Sequence, residues 1–240
     1  MSLIAVSFLR MGRPASAFSA HPSRRISTAQ LFASSKTAKP FGRQDYWESR
    51  YNEEQEDFCW YSEWSELQPF VAEWIEPSDR LLIPGIGTDA ALLRGLIEAS
   101  YTSLHAFDYA QSGVDYCRSQ VPSGVHLRVT DARDLSAYDT ASMDAILDKG
   151  TLDAVFLAGS SVEERRENLS RAVSELQRVL APGGIFWSLS GICTEALVDL
   201  KCWNEEEWKT LTDGSLYTTD DGYTSNNLDG ALLVWKKTGR

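Results

Sequence analysis

Short apolar runs recur along the chain, separated by stretches with helical spacing. Leu81-Leu82-Ile83, Ser103-Leu104-His105-Ala106-Phe107, Val125-His126-Leu127-Arg128-Val129, Met143-Asp144-Ala145-Ile146-Leu147 and Ile185-Phe186-Trp187-Ser188-Leu189 have the length and residue content of strands. Between them the pattern predicts helices over residues 90–99 and 111–120, the second weakened by Gly113. The most regular helix has Ser161 as N-cap with Glu164 three residues on. It places Leu169, Ala172, Val173, Leu176, Val179 and Leu180 on one stripe before Ala181-Pro182-Gly183-Gly184 stops it. Strands alternating with helices at this rhythm predict an α/β fold, a parallel sheet with right-handed crossovers. Ahead of the first strand, residues 41–74 hold Tyr46, Trp47, Tyr51, Trp60, Tyr61, Trp64 and Trp74. Trp47 and Tyr51 share a helix face; the cluster reads either as core packing or as a flank folded back over the sheet. Toward the C-terminus, Glu205-Glu206-Glu207-Trp208 reads as part of a helix, residues 212–230 as a polar hairpin or loop, and residues 231–235 as a last strand.

The run Leu81-Leu82-Ile83-Pro84-Gly85-Ile86-Gly87-Thr88-Asp89 ends a strand in glycines and opens a helix, which lets backbone approach a ligand closely. Taken alone it reads equally as an ordinary strand-turn-helix, because the third glycine of the dinucleotide fingerprint is replaced by Asp89, a good N-cap. Asp108 ends the second strand 23 residues past Gly85, near the offset of about 20 at which an acid takes ribose hydroxyls. Asp131 ends the third strand and could accept an adenine amine or cap a turn. Asp148-Lys149-Gly150-Thr151-Leu152-Asp153-Ala154 follows the fourth. Gly85, Asp108, Asp131 and Asp148 thus converge on the carboxyl edge of the sheet, where such folds bind ligands.

Charge divides the chain. Of 23 lysines and arginines, seven lie in residues 1–44, whereas all 34 acids lie from Asp45 onward, leaving the body at a formal −18. The acid-free, Arg- and Ser-rich leader, residues 1–40, resembles an organelle transit peptide. Arg24-Arg25-Ile26-Ser27 suits a mitochondrial presequence, and Ala15-Ser16-Ala17-Phe18 a plastid leader of algae with secondary plastids. The apolar run from Leu3 to Leu9 is interrupted at Arg10, which favours the mitochondrion over the plastid; a basic tail without targeting function would leave the protein cytoplasmic. The acidic body disfavours nucleic acid and is compatible with a basic protein partner. No run reaches the roughly 20 apolar residues of a membrane span. Cys59, Cys117, Cys193 and Cys202 have no metal-ligand spacing and read as free thiols, and three histidines leave little material for a metal site or triad.

Together these residues resemble the class I S-adenosylmethionine-dependent methyltransferases. More narrowly they are similar to the lysine methyltransferases that act on elongation factor 1-alpha and on mitochondrial citrate synthase. Tyr46-Trp47-Glu48-Ser49-Arg50-Tyr51 and the stretch from Asp148 to Ala154 carry the narrow match. Leu82-Ile83-Pro84-Gly85, Asp108-Tyr109, Asp131-Ala132-Arg133-Asp134-Leu135 and Arg178-Val179-Leu180-Ala181-Pro182-Gly183-Gly184 support it. The resemblance implies a Rossmann-like three-layer sandwich over residues 41–240, with a mostly parallel seven-stranded sheet, an antiparallel C-terminal strand and an aromatic flank at 41–76. It implies S-adenosylmethionine as cofactor. Trp47, Tyr51 and Trp60 would cover it, Gly85 and Gly87 would lie against its methionine part, and Asp108 and Tyr109 against ribose and adenine. Asp131 and Ala132 would meet the adenine edge, Lys149 would touch the reacting end, and Asp148 would sit at the substrate mouth as the catalytic candidate. It further implies a lysine-bearing protein as substrate; the expected state is a monomer, with neither nucleic acid nor membrane as partner. Ile86 replaces the usual cysteine, Thr88-Asp89 the commoner Asn-Ser pair, and Ser190-Gly191-Ile192-Cys193-Thr194 an aromatic, Pro-His-bearing segment. A small-molecule methyltransferase and a non-catalytic module of the same fold remain alternatives; the missing third glycine and the 148–154 motif disfavour a nicotinamide dehydrogenase.

Overall fold

A computed structural model of the protein describes residues 40–239. Residues 1–39 of the expected leader, including residues 15–18 and 24–27, lie outside the described residues. Seven strands form one sheet: β1 Arg80–Pro84, β2 Ser103–Asp108, β3 His126–Val129, β4 Met143–Lys149, β5 Leu180–Ser190, β6 Trp208–Asp213 and β7 Ala231–Lys237, in the order β3-β2-β1-β4-β5-β7-β6. β1 to β5 pair in parallel, and β7 runs antiparallel to both β5 and β6. The strand order reverses at β1, between β2 and β4, so the crevice for a ligand opens at their carboxyl ends.

Among the described residues, seven α-helices accompany the sheet: α1 Gln44–Glu53, α2 Trp64–Ala72, α3 Ala90–Glu98, α4 Gln111–Gln120, α5 Thr151–Leu157, α6 Val162–Val179 and α7 Thr194–Val198. The strand period of two sends alternate residues to opposite faces. Leu81 and Ile83 pack with Phe70 of α2 and Leu93 of α3, while Leu82 packs with Leu152 of α5 and the α6 stripe. Leu169, Ala172, Val173, Leu176 and Val179 are buried, and the Ser161 hydroxyl accepts from Glu164 N, as the pattern predicts. Leu180, expected on that stripe, is instead the first residue of β5.

The acidic stretch 205–208 is not helical. Asn204 closes a turn, with Oδ1 accepting from Glu207 N at 3.0 Å, and Trp208 begins the edge strand β6. Three exposed acids supply no apolar stripe, so Trp208 is buried by pairing with β7 instead. Residues 214–230 form a loop with a bridge between Thr218 and Thr224. Helix α7, just after β5, has no counterpart in the sequence reading.

Candidate active site

The turn after β1 carries Gly85 and Gly87 with φ of +58° and +52°, a left-handed conformation that glycine adopts without a Cβ penalty. Space forbids side chains as well: a Cβ on Gly85 would collide with Thr151, and one on Gly87 with the Tyr51 hydroxyl. Thr151 Oγ1 donates to Pro84 O at 2.8 Å, fastening α5 to the turn. The Asp89 side chain caps α3 by accepting from Leu92 N at 3.1 Å. From the end of β2, Asp108 braces the same turn: Oδ2 accepts from Gly87 N and Oδ1 from Ala110 N, both at 2.8 Å. Burial pushes its carboxyl up to about 6.

The N-terminal segment closes over this turn. Trp47 stacks on Tyr51 with centroids 5.4 Å apart, and Trp60 meets Trp47 edge-on at 5.5 Å, an arrangement favoured by ring quadrupoles. Lys149, at the end of β4, joins this flank to the sheet. Its ammonium donates to Trp60 O at 2.6 Å and lies 3.0 Å from Asp89 Oδ2, with its side chain only 7% exposed. Burial pulls the Lys149 pKa down, but its acidic surroundings raise it overall. Burial pushes the neighbouring Cys59 thiol up to about 12.

These groups line a cleft with about 890 Å³ of space between atoms, its open mouth included. Trp47, Tyr51, Trp60, Gly85, Gly87, Asp108, Tyr109, Asp131, Ala132 and Lys149, which the sequence placed around a cofactor, all face it. Asp131 is already engaged: Arg133 Nη2 donates to its Oδ2 at 2.6 Å and Arg133 N to Oδ1 at 2.8 Å, holding its carboxyl below the usual value against the pull of burial.

Asp148 is not at the mouth. β4 runs two residues past the predicted end, and strand alternation sends Asp148 and Lys149 to opposite faces. Fully buried, Asp148 accepts from Thr151 N at 3.1 Å and Leu152 N at 3.3 Å, capping α5, and from Ser188 Oγ at 2.7 Å. Burial lifts its carboxyl to about 7. Sequence reasoning also gave no role to Asp153. Both of its buried oxygens are used, by Tyr61 OH at 2.6 Å, Ser190 Oγ at 2.8 Å, Cys193 N at 2.7 Å, and Gly191 N and Ile192 N at 3.1 Å. The motif from Asp148 to Ala154 is thus a junction of turn, flank and the segment after β5. Its content of two acids within six residues was the available signal.

A profile for the methyltransferase domain family matches residues 82–188, the span from the glycine turn through β5. Over the span that builds the cleft, the chain is similar to the class I S-adenosylmethionine-dependent methyltransferases. Among relatives of the chain, a Mus musculus eEF1A lysine and N-terminal methyltransferase is 30% identical over 160 residues, covering 65% of this chain and 22% of the relative. The Mus musculus EEF1A lysine methyltransferase 4 is 28% identical over 155 residues, covering 60% of this chain and 59% of the relative. The chain therefore spans about a fifth of the first relative's length and under two thirds of the second's. Among solved structures, a SAM-dependent methyltransferase from Methanosarcina mazei superposes with a TM-score of 0.50 at 16% identity, covering 72% of this chain and 98% of the other. The [4+2]-cyclase SpnF superposes at 0.56 and 15% identity, covering 91% and 99%. At such identity the likeness concerns the fold, which hosts more than one chemistry.

Family and fold imply S-adenosylmethionine as cofactor, and the cleft fits it. Asp108 stands at the end of β2 for a ribose, aromatic rings wall the cleft, and its one lysine is already bonded to protein rather than set to cradle a pyrophosphate. Two residues that line the cleft each carry a buried polar atom without a well-aligned hydrogen bond, Trp60 Nε1 and Asp89 Oδ2, the latter with the Lys149 ammonium 3.0 Å away. Among the described residues no cluster could hold a metal, the four thiols are free, and no helix is long and apolar enough to cross a membrane.

Proposed function

We propose that the protein transfers a methyl group from S-adenosylmethionine to a lysine side chain of a protein substrate. The observation that carries this reading is one cleft, at the carboxyl edge of the sheet, that gathers every predicted cofactor residue in a chain similar to eEF1A lysine methyltransferases. In this reading the main chain at Gly85 and Gly87 lies against the methionine end. Asp108 and Tyr109 take the ribose and adenine, Asp131 and Ala132 the adenine edge, and Trp47, Tyr51 and Trp60 the cover. Each Asp108 oxygen keeps a free lone pair after its backbone bond, enough for two ribose hydroxyls.

When bound, the cofactor supplies an electrophilic sulfonium methyl. The chain's own part is to present a neutral amine in line with it and to exclude water. A free lysine titrates near 10.4, and a dry aromatic surround disfavours its ammonium form. The flank of Trp47, Tyr51 and Trp60 provides that surround. Asp148, sealed beneath α5, acts through the local fold rather than on the amine. The body's formal −18 suits a basic face on the substrate, and the acid-free leader suits action in an organelle, the mitochondrion ahead of the plastid. Incubation with methyl-labelled cofactor and an organelle extract tests the proposal. Label in the protein fraction is expected; label confined to small molecules would replace the protein substrate by a small one.

A further inference from the structure

Asp89 is placed to do more than cap a helix. Its Oδ1 accepts from Leu92 N, whereas Oδ2 is buried, lines the cleft and receives no hydrogen bond. The Lys149 ammonium is close, at 3.0 Å, but its directed bond goes to the Trp60 carbonyl at 2.6 Å. Lys149 therefore stands beside Asp89 without saturating it. A buried carboxylate oxygen whose one neighbouring cation donates elsewhere keeps accepting capacity to spare, and a charged donor is its best partner. On the reading of the cleft as the cofactor's seat, the unmet group and the ligand are complementary: the amino-acid end is a zwitterion, and its ammonium carries three donors.

We infer that Asp89 Oδ2 accepts a hydrogen bond from the α-ammonium of the cofactor's amino-acid end, with Lys149, 3.0 Å away, acting as the positioning residue that holds the carboxylate in place. The sulfonium plays no part in this contact, so any ligand carrying the amino-acid end should sense Asp89. Serine at this position would keep a helix cap while removing the carboxylate.

Titration calorimetry on the full chain, Asp89→Ser and Asp89→Asn provides the test, with S-adenosylhomocysteine, which carries the amino-acid end, and 5′-methylthioadenosine, which lacks it. Melting curves confirm that each variant folds. The inference expects S-adenosylhomocysteine to bind either variant about tenfold more weakly or worse, the scale of one charge-assisted bond, while 5′-methylthioadenosine stays within about twofold of wild type. Equal weakening of both ligands would reduce Asp89 to shaping the turn, and unchanged affinity for both would mean that water satisfies Oδ2; either result overturns the inference. Failure of the wild-type protein to bind either ligand would instead remove the cofactor reading on which it rests.

Discussion

Burial lifts two carboxyls, Asp148 and Asp108, out of the ordinary carboxylate range. Burial raises them from an ordinary 3.8 to about 7 and about 6 respectively. Their contribution to stability is therefore complete below about pH 4 and is lost as the pH rises through those values. Asp148→Asn is neutral throughout, and its amide can still accept from α5 and bond Ser188. It should flatten the stability profile between about pH 4 and 7 by up to about 1.4 kcal/mol per pH unit, measured as denaturant midpoints; a slope identical to wild type would contradict the assignment. At Gly85, alanine would both occupy a left-handed conformation and press on Thr151. Gly85→Ala should cost about 1–3 kcal/mol in stability and abolish measurable cofactor binding by calorimetry. That Gly85, Asp108 and Asp131 belong to one site was legible from spacing alone, since strand ends recur at intervals. The burial of Asp148 was not: spacing does not say on which face a residue falls when the strand runs two residues further than its apolar core.

At the scale of elements, Asp153 binds three segments that are remote in sequence. Tyr61, buried with φ of +65°, is a conformation that a bulky residue holds only when its surroundings fix it, and its hydroxyl bonds Asp153. Asp153→Ala removes the acceptor for three successive backbone N–H groups and two hydroxyls. It should cost about 3 kcal/mol or more in thermal or chemical unfolding. Tyr61→Phe should cost about 1 kcal/mol, and hydrogen exchange at residues 190–193 should quicken before exchange in the central strands does. Unaltered exchange there would mean that the network is not what orders the segment. The central strands were readable because burial on both faces makes them apolar throughout. β6 was not, because an edge strand needs only Trp208 and Leu211 to be apolar, and its remaining residues mimic a polar helix or loop. The Lys149–Asp89 pair was equally hidden, since sequence gives no sign of a contact across 60 residues between a helix cap and a strand end.

Over the whole molecule, seven strands in the order β3-β2-β1-β4-β5-β7-β6 bring the ends of β1, β2 and β4 under an aromatic flank, and the body carries a formal −18. A reporter fused behind residues 1–40 should localise to mitochondria in microscopy; a diffuse cytoplasmic signal would set aside the targeting reading. Fold and cleft were legible because the alternating pattern and the acids at strand ends constrain each other. The substrate was not, because Ser190 to Thr194 departs from the pattern that carries the resemblance, and spacing gives no sign that Asp153 holds this segment. The central claim is protein lysine methylation, and quantitative mass spectrometry of proteins from cells with and without this enzyme tests it most directly. The account predicts at least one lysine whose methylation disappears with the enzyme and returns when purified protein and S-adenosylmethionine are added back. A proteome whose lysine methylation is the same with and without it would contradict the account.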